Sequence, residues 1–280
     1  MEKAIKRYFP IFVLPTMIAF TLGFIIPFVE GVYLSFCKFT TVNDAKFIGF
    51  ANYAKVFADE TFVHAFWFTA AFPVVSVILI NVLAFAVALL LTKGFKGTNI
   101  FRTVFFMPNL IGGIVLGYIW QLLLNGILMK FSRTLTYSST YGFWGLIILM
   151  CWQQIGYMMI IYIAGIQNIP GELIEAAEID GATKWQILKK VTIPMVMPSI
   201  TVCTFLTLTN SFKLFDQNLA LTNGEPSKMS EMLALNIFNT FYGRTGYEGV
   251  GQAKAVIFFI LVTVIALTQN YLTRRKEVQQ

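Results

Sequence analysis

Apolar residues fill this chain in long unbroken runs, and polar residues gather in short segments between them. A helix rising ~1.5 Å per residue needs roughly 20 apolar residues to cross a hydrocarbon layer ~30 Å thick. The runs reach that length. They predict six helices, over about 10–36, 63–91, 102–125, 142–168, 195–221 and 251–273. The first run follows Lys3, Lys6 and Arg7, as a signal peptide would. It is too long for one and lacks a clear small-residue cleavage site, so it reads as a retained span. The fold class expected is all-α and polytopic, with residues 1–280 forming one transmembrane domain.

The polar segment between the fourth and fifth runs, PGELIEAAEIDGATKWQILKKVTIP over 170–194, has its own punctuation. Pro170 suits a first helical position, and Glu172, Glu175 and Glu178 put negative charge at and after the helix start. Gly181 fits a stop that needs a left-handed residue. A second helix is expected from Ala182, with Lys189 and Lys190 near its end and a stop before Pro194. A small, rigid, charged helix-turn-helix fused to a membrane helix is a lever. A soluble partner that grips it can move the membrane domain.

Composition agrees: 57% of residues are hydrophobic, 12% are charged, and the mean hydropathy is +0.69. Soluble domains carry about 25% charge. Orientation follows from lysine and arginine. An inside N-terminus places Lys3, Lys6, Arg7, Lys93, Lys96, Arg102, Lys184, Lys189, Lys190, Arg274, Arg275 and Lys276 on the cytoplasmic side, in short segments at span ends. The longer outer loops hold Lys38, Lys46, Lys55, Lys130, Arg133, Lys228, Arg244 and Lys254. The net charge of +7 is then a topology signal and not a nucleic-acid footprint. Cys37, Cys151 and Cys203 suggest neither a disulfide framework nor a metal site, and His64 reads as an interfacial residue. With no phosphate-binding glycine loop and no nucleophile–base pair, the chain is expected to be no enzyme.

Polar side chains inside spans face a bundle interior or a cavity. Met150, Gln153, Gln154 and Tyr157 share one helical face at i, i+3, i+4 and i+7. Cys203, Thr207, Asn210, Ser211 and Leu214 share another, and Gly113, Gly117 and Gln121 follow Pro108 and Asn109 on a third. Amides and hydroxyls that both donate and accept could surround a polyhydroxylated solute. The same residues are equally suited to gluing membrane helices together, and for the glycines packing is the better reading. Lys213 and Asp216, three apart, read as mutual neutralisation near the outer end of the fifth span. No arginine cluster at membrane depth invites an anion, which favours a neutral solute.

Glu175-Ala176-Ala177, then Gly181, then Val191-Thr192-Ile193-Pro194 resemble the EAA loop of bacterial binding-protein-dependent ABC importer permeases. LTNGEP at 221–226, Phe101-Arg102 with Met107-Pro108, and Asn52-Tyr53 extend the likeness over nearly the whole chain. They point to the carbohydrate-uptake, MalF-like branch of the family. Val-Thr-Ile-Pro departs mildly from the family's Ile-x-Leu-Pro, and Glu225 stands where a glycine is usual. The resemblance implies a bacterial plasma-membrane protein with both termini cytoplasmic. It implies a second, MalG-like permease, two cytoplasmic ATPase subunits that use ATP and magnesium, an extracytoplasmic solute-binding protein, and no cofactor on this chain. Coupling to the ATPase falls to Glu172, Glu175, Ala176, Ala177, Asp180, Gly181 and Ala182. The expected solute path runs over Asn109, Gln153, Gln154, Tyr157, Thr207, Asn210 and Ser211. The solute would be a sugar or oligosaccharide moved by alternating access. The alternatives are an ion-gradient-driven secondary transporter, or the same architecture importing a glycerol phosphodiester or a polyamine.

Overall fold

The computed structural model describes residues 2–94 and 96–274. Arg275 and Lys276, which enter the charge argument, lie outside them. Helix α1 (Glu2–Phe20) passes through a π-turn, Thr21–Ile25, into α2 (Ile26–Leu34). A hairpin of β1 (Cys37–Lys38) and β2 (Lys46–Phe47), with Cys37 opposite Phe47, precedes α3 (Ala51–Phe57). Then come α4 (Glu60–Leu91), α5 (Thr98–Phe106), α6 (Gly113–Leu128) and α7 (Ser139–Gln167). The polar loop contributes α8 (Gly171–Ile179), α9 (Lys184–Ile187) and α10 (Ile193–Met195). The chain ends with α11 (Met197–Phe212), α12 (Asp216–Leu221), α13 (Leu233–Gly243) and α14 (Glu248–Arg274). Among the described residues, five helical stretches are long and apolar enough to cross a membrane: Ile11–Leu34, Glu60–Leu91, Gly113–Phe131, Ser139–Gln167 and Glu248–Thr273. A sixth would be the pair Lys184–Met195 and Met197–Phe212, bent by 68°.

Two stretches differ from the expected spans. The helix expected over 102–125 is interrupted between α5 and α6 by a 3-10 turn, Met107–Leu110, and extended backbone at Ile111 and Gly112. Pro108 lacks an N–H and its ring clashes with the preceding turn, so a break here is chemically natural. The helix expected over 195–221 is also two pieces, α11 and α12, separated by Lys213–Phe215. No proline or glycine marks that break. Instead Thr207, Thr209 and Ser211 each donate a hydroxyl proton to the carbonyl four residues back, a pattern that bends helices.

The chain divides into two compact units. One comprises residues 1–60 and 237–259. Its first span leaves most of its apolar side chains uncovered by the rest of the chain, as a helix solvated by lipid does, and buries Leu34 at its end. Asn52 fastens α3 to the end of α2, donating to the carbonyls of Ser35 at 2.9 Å and Cys37 at 2.8 Å. Lys254, expected in an outer loop, lies inside α14 with 0% exposure. Its ammonium contacts Asp59 Oδ2 at 2.7 Å and Thr240 Oγ1 at 2.8 Å. A buried cation survives only with such partners. The sequence pattern hides this because Asp59 lies 195 residues away.

The other unit comprises residues 61–236 and 260–280. Its core is built around α7, the most enclosed of the long helices. Where α5 ends against α7, a Cβ at Gly156 would overlap the Phe105 carbonyl. Asn218 organises the loop after α12: its Nδ2 donates to the Ser230 carbonyl at 2.8 Å and its Oδ1 accepts from the Met232 N–H at 2.9 Å. His64 Nε2 bonds the Met229 carbonyl at 2.8 Å, so the histidine is a structural tie.

Candidate coupling loop and polar cavity

The polar loop forms the expected helix-turn-helix with altered details. Pro170 is the extended residue before α8 (ψ 128°) and not its first helical residue. At the other end Gly181 has φ +77°. The Ala182 N–H bonds the Ala177 carbonyl and the Gly181 N–H bonds the Glu178 carbonyl, both at 3.0 Å, which is the paired-bond stop of a Schellman motif. The second helix begins at Lys184, later than expected, because Thr183 caps it. The Gln186 N–H donates to Thr183 Oγ1, and the Thr183 N–H donates to Gln186 Oε1. Nor does it stop before Pro194. A π-turn at Leu188–Thr192 carries it on to Met195. Widening the helix by one residue makes room for a proline that can neither donate nor tolerate the carbonyl of the turn before it.

The loop presents one face. Glu172, Glu175, Ala176 and Ile179 stand at i, i+3, i+4 and i+7 and are all exposed. Ala177 and Ala182 are half-buried, while Asp180 and Gly181 are exposed at the hinge. On the inner side Ile174 and Ile187 pack into the unit. Two exposed apolar residues escaped the sequence reading, Ile179 at 86% and Trp185 at 69%. A surface that combines carboxylates with uncovered aromatic and aliphatic groups has the chemistry of a docking face.

The polar residues of the spans divide into two groups. Gln154 on α7 and Asn210 on α11 line a cavity of about 250 Å³ with Met150, Lys213, Leu214, Phe215, Asp216 and Gln217. Asn210 Nδ2 donates to Gln154 Oε1 at 3.3 Å, and Gln217 Nε2 donates to Gln153 Oε1 at 2.9 Å. Lys213 and Asp216 share this wall, but no ion pair joins them. The helical i, i+3 spacing that would pair them is lost where α11 ends at Phe212. Lys213, Asp216 and Gln217 are the polar wall residues the sequence reading left out of the path.

Thr207 and Ser211 stand behind the cavity, both at 0% exposure, in contact with α4. Ser211 Oγ is 2.8 Å from Ser76 Oγ. Asn81 Nδ2 donates to Thr207 Oγ1 at 3.4 Å, and the Tyr162 hydroxyl donates to Asn81 Oδ1 at 2.7 Å. Asn109 is half-buried in the Met107–Leu110 turn, and Tyr157 packs against the core; neither lines the cavity. The glycine stripe of α6 is a packing surface. A Cβ at Gly117 would overlap Ala220, one at Gly113 would stand 2.8 Å from Asp216 Cβ, and Gln121 Nε2 donates to the Leu221 carbonyl. Small residues let α6 and α12 approach this closely.

Residues 80–278 match the family model described as binding-protein-dependent transport system inner membrane component. The probable starch degradation products transport system permease protein AmyD of Thermoanaerobacterium thermosulfurigenes is 42% identical over 96% of this chain and 94% of its own length. The multiple sugar-binding transport system permease protein MsmF of Streptococcus mutans is 28% identical over 99% of each. Among solved structures, a bacterial alginate ABC transporter in complex with an alginate pentasaccharide-bound periplasmic protein holds a chain that shares this fold. Its TM-score is 0.82 at 21% identity, covering 98% of this chain and 97% of that one. The chain is thus an integral membrane transport subunit, and it belongs to the family of binding-protein-dependent transport system inner membrane components.

Proposed function

We propose that this chain is one of two permease subunits of an ATP-driven importer, and that it passes a sugar or oligosaccharide handed over by an extracytoplasmic binding protein. The observation that carries the reading is the exposed face of α8. It is locked by the Gly181 hinge and continuous through α9 and α10 with the helix that bends into α11. A force applied at Glu172, Glu175, Ala176 and Ile179 is delivered through that rigid path to the wall holding Asn210. The relatives' names support a carbohydrate, and so do the neutral amides Gln153, Gln154, Asn210 and Gln217.

In this proposal both termini and the α8–α10 loop are cytoplasmic. ATP draws two ATPase subunits together on the loops of this chain and of its homologous, MalG-like partner. The binding protein docks outside, on loops near 37–62 and 223–250. Two states biased differently by ATP and by the loaded binding protein suffice for coupling. ATP and magnesium act in the ATPase, not here. Tagged chain purified from native membranes in mild detergent should bring with it an ATPase, a second permease and a binding protein, whose ligand then identifies the solute. Purification alone or as a homo-oligomer, even after crosslinking, defeats the reading.

The path proposed from the sequence, Asn109, Gln153, Gln154, Tyr157, Thr207, Asn210 and Ser211, separates by experiment into two classes. Gln154→Ala should lower uptake about fivefold, the loss of roughly 1 kcal/mol of polar contact, with the assembled complex as stable as before. Ser211→Ala should instead lower the melting temperature of the complex, since its hydroxyl serves α4. Equal effects of the two on both readouts would erase the distinction between cavity and packing.

A further inference from the structure

Tyr33, Phe36, Phe47, Phe50 and Tyr53 form a connected cluster of rings. Ring centroids lie 6.5 Å apart for Tyr33 and Phe47, 5.3 Å for Phe36 and Phe50, and 5.8 Å for Phe50 and Tyr53. The last turn of the first span is thereby stacked onto the β1–β2 hairpin and α3. On α3 the buried positions are Asn52 and Val56. Phe50, Tyr53 and Phe57 follow at i, i+3 and i+7 along another side. Phe47 is 65%, Phe50 74% and Phe57 67% exposed.

The depth of this face is set by covalent connection. Tyr33 is the penultimate residue of the 24-residue apolar stretch Ile11–Leu34. Rings stacked upon it stand at the boundary between acyl chains and headgroups, where amphipathic aromatic belts settle. Charge points the same way. Residues 33–57 hold Lys38, Lys46 and Lys55 against one carboxylate, Asp44. That carboxylate is taken up by the backbone N–H groups of Thr40 and Thr41, at 3.0 and 2.9 Å. Lysines beside exposed aromatics match a layer of anionic headgroups.

We propose that Phe47, Phe50, Tyr53 and Phe57 form a lipid-interface anchor, which lays the hairpin and α3 against an anionic bilayer at the end of the first span. The anchor fixes the height of the 37–47 hairpin above the membrane, whichever leaflet this end of the span faces. The binding protein is left the hairpin's far side.

The test uses Phe50→Cys and Phe57→Cys, each carrying a nitroxide, in a Cys151→Ser background. Cys37 and Cys203 are buried. The full chain, with the subunits that purify with it, is placed in nanodiscs of phosphatidylcholine and phosphatidylglycerol. The ratio of oxygen to nickel-chelate collisions should be several-fold higher at 50 and 57 than at Val42→Cys, an exposed position in the loop between β1 and β2. Adding solute-loaded binding protein should leave it unchanged. Nickel access at 50 equal to that at 42 makes the face an aqueous loop and overturns the proposal. So does shielding from both probes, before or after the binding protein is added, since a protein then covers the face.

Discussion

Gly181→Val should abolish uptake while ATP hydrolysis by the assembled complex persists. At φ +77° a β-branched residue meets its own backbone, at a cost of about 1–2 kcal/mol. A Cβ here would have no heavy-atom neighbour within 4 Å, so the penalty lies in the backbone conformation and not in a clash. The chain escapes it by opening the turn. It then gives up the two 3.0 Å bonds that stop α8, and with them the fixed angle between α8 and α9. In the proposed coupling, a lever with a loose joint transmits no stroke. Gly181→Asn, which tolerates the left-handed region, should retain most of the uptake. The two are compared by solute uptake in proteoliposomes against ATPase rate in the same preparation. Wild-type uptake by the valine variant would sink the lever role of this hinge.

Asp59→Ala should destabilise the protein by about 3–5 kcal/mol, because it removes the charge that balances a fully buried ammonium. The loss belongs to the stranded cation and not to the net worth of the pair. The double variant Asp59→Leu with Lys254→Met should therefore recover most of it. Thermal unfolding of purified protein in detergent reads both. A single variant as stable as the parent would mean that Thr240 and the other surroundings of Lys254 suffice to hold the charge. This pair takes no part in the coupling proposed for the α8–α10 loop, so its failure leaves the transport reading untouched.

Much of the architecture was legible because lipid imposes a simple rule. Backbone polar groups in hydrocarbon must pair within a helix, so long apolar runs such as 63–91 and 142–168 translate directly into helices. The stop at Gly181 was legible for a different reason, since few residues other than glycine occupy that conformation cheaply. Motif spacing pointed to the loop that presents the exposed face, but not to Ile179 and Trp185 upon it. Their exposure depends on which side of α8 and α9 the rest of the unit covers.

The candidate path was only half legible. Helical periodicity put Gln153 with Gln154 on one face and Thr207, Asn210 and Ser211 together on another, but periodicity says which residues share a face and not what stands opposite. Ser76 and Asn81, more than 120 residues before their partners, turn Thr207 and Ser211 into helix packing.

The sequence by itself determined the solvent of each segment, the helices that solvent demands and the sharp stop at Gly181. These are local properties of hydropathy and backbone conformation. Tertiary structure alone decided that Lys213 and Asp216 face one cavity unpaired, and that Lys254 is a buried half of an ion pair. Whether a polar group opens a path, closes a contact or neutralises a charge depends on the partner that folding brings to it, and that partner lies far away along the chain.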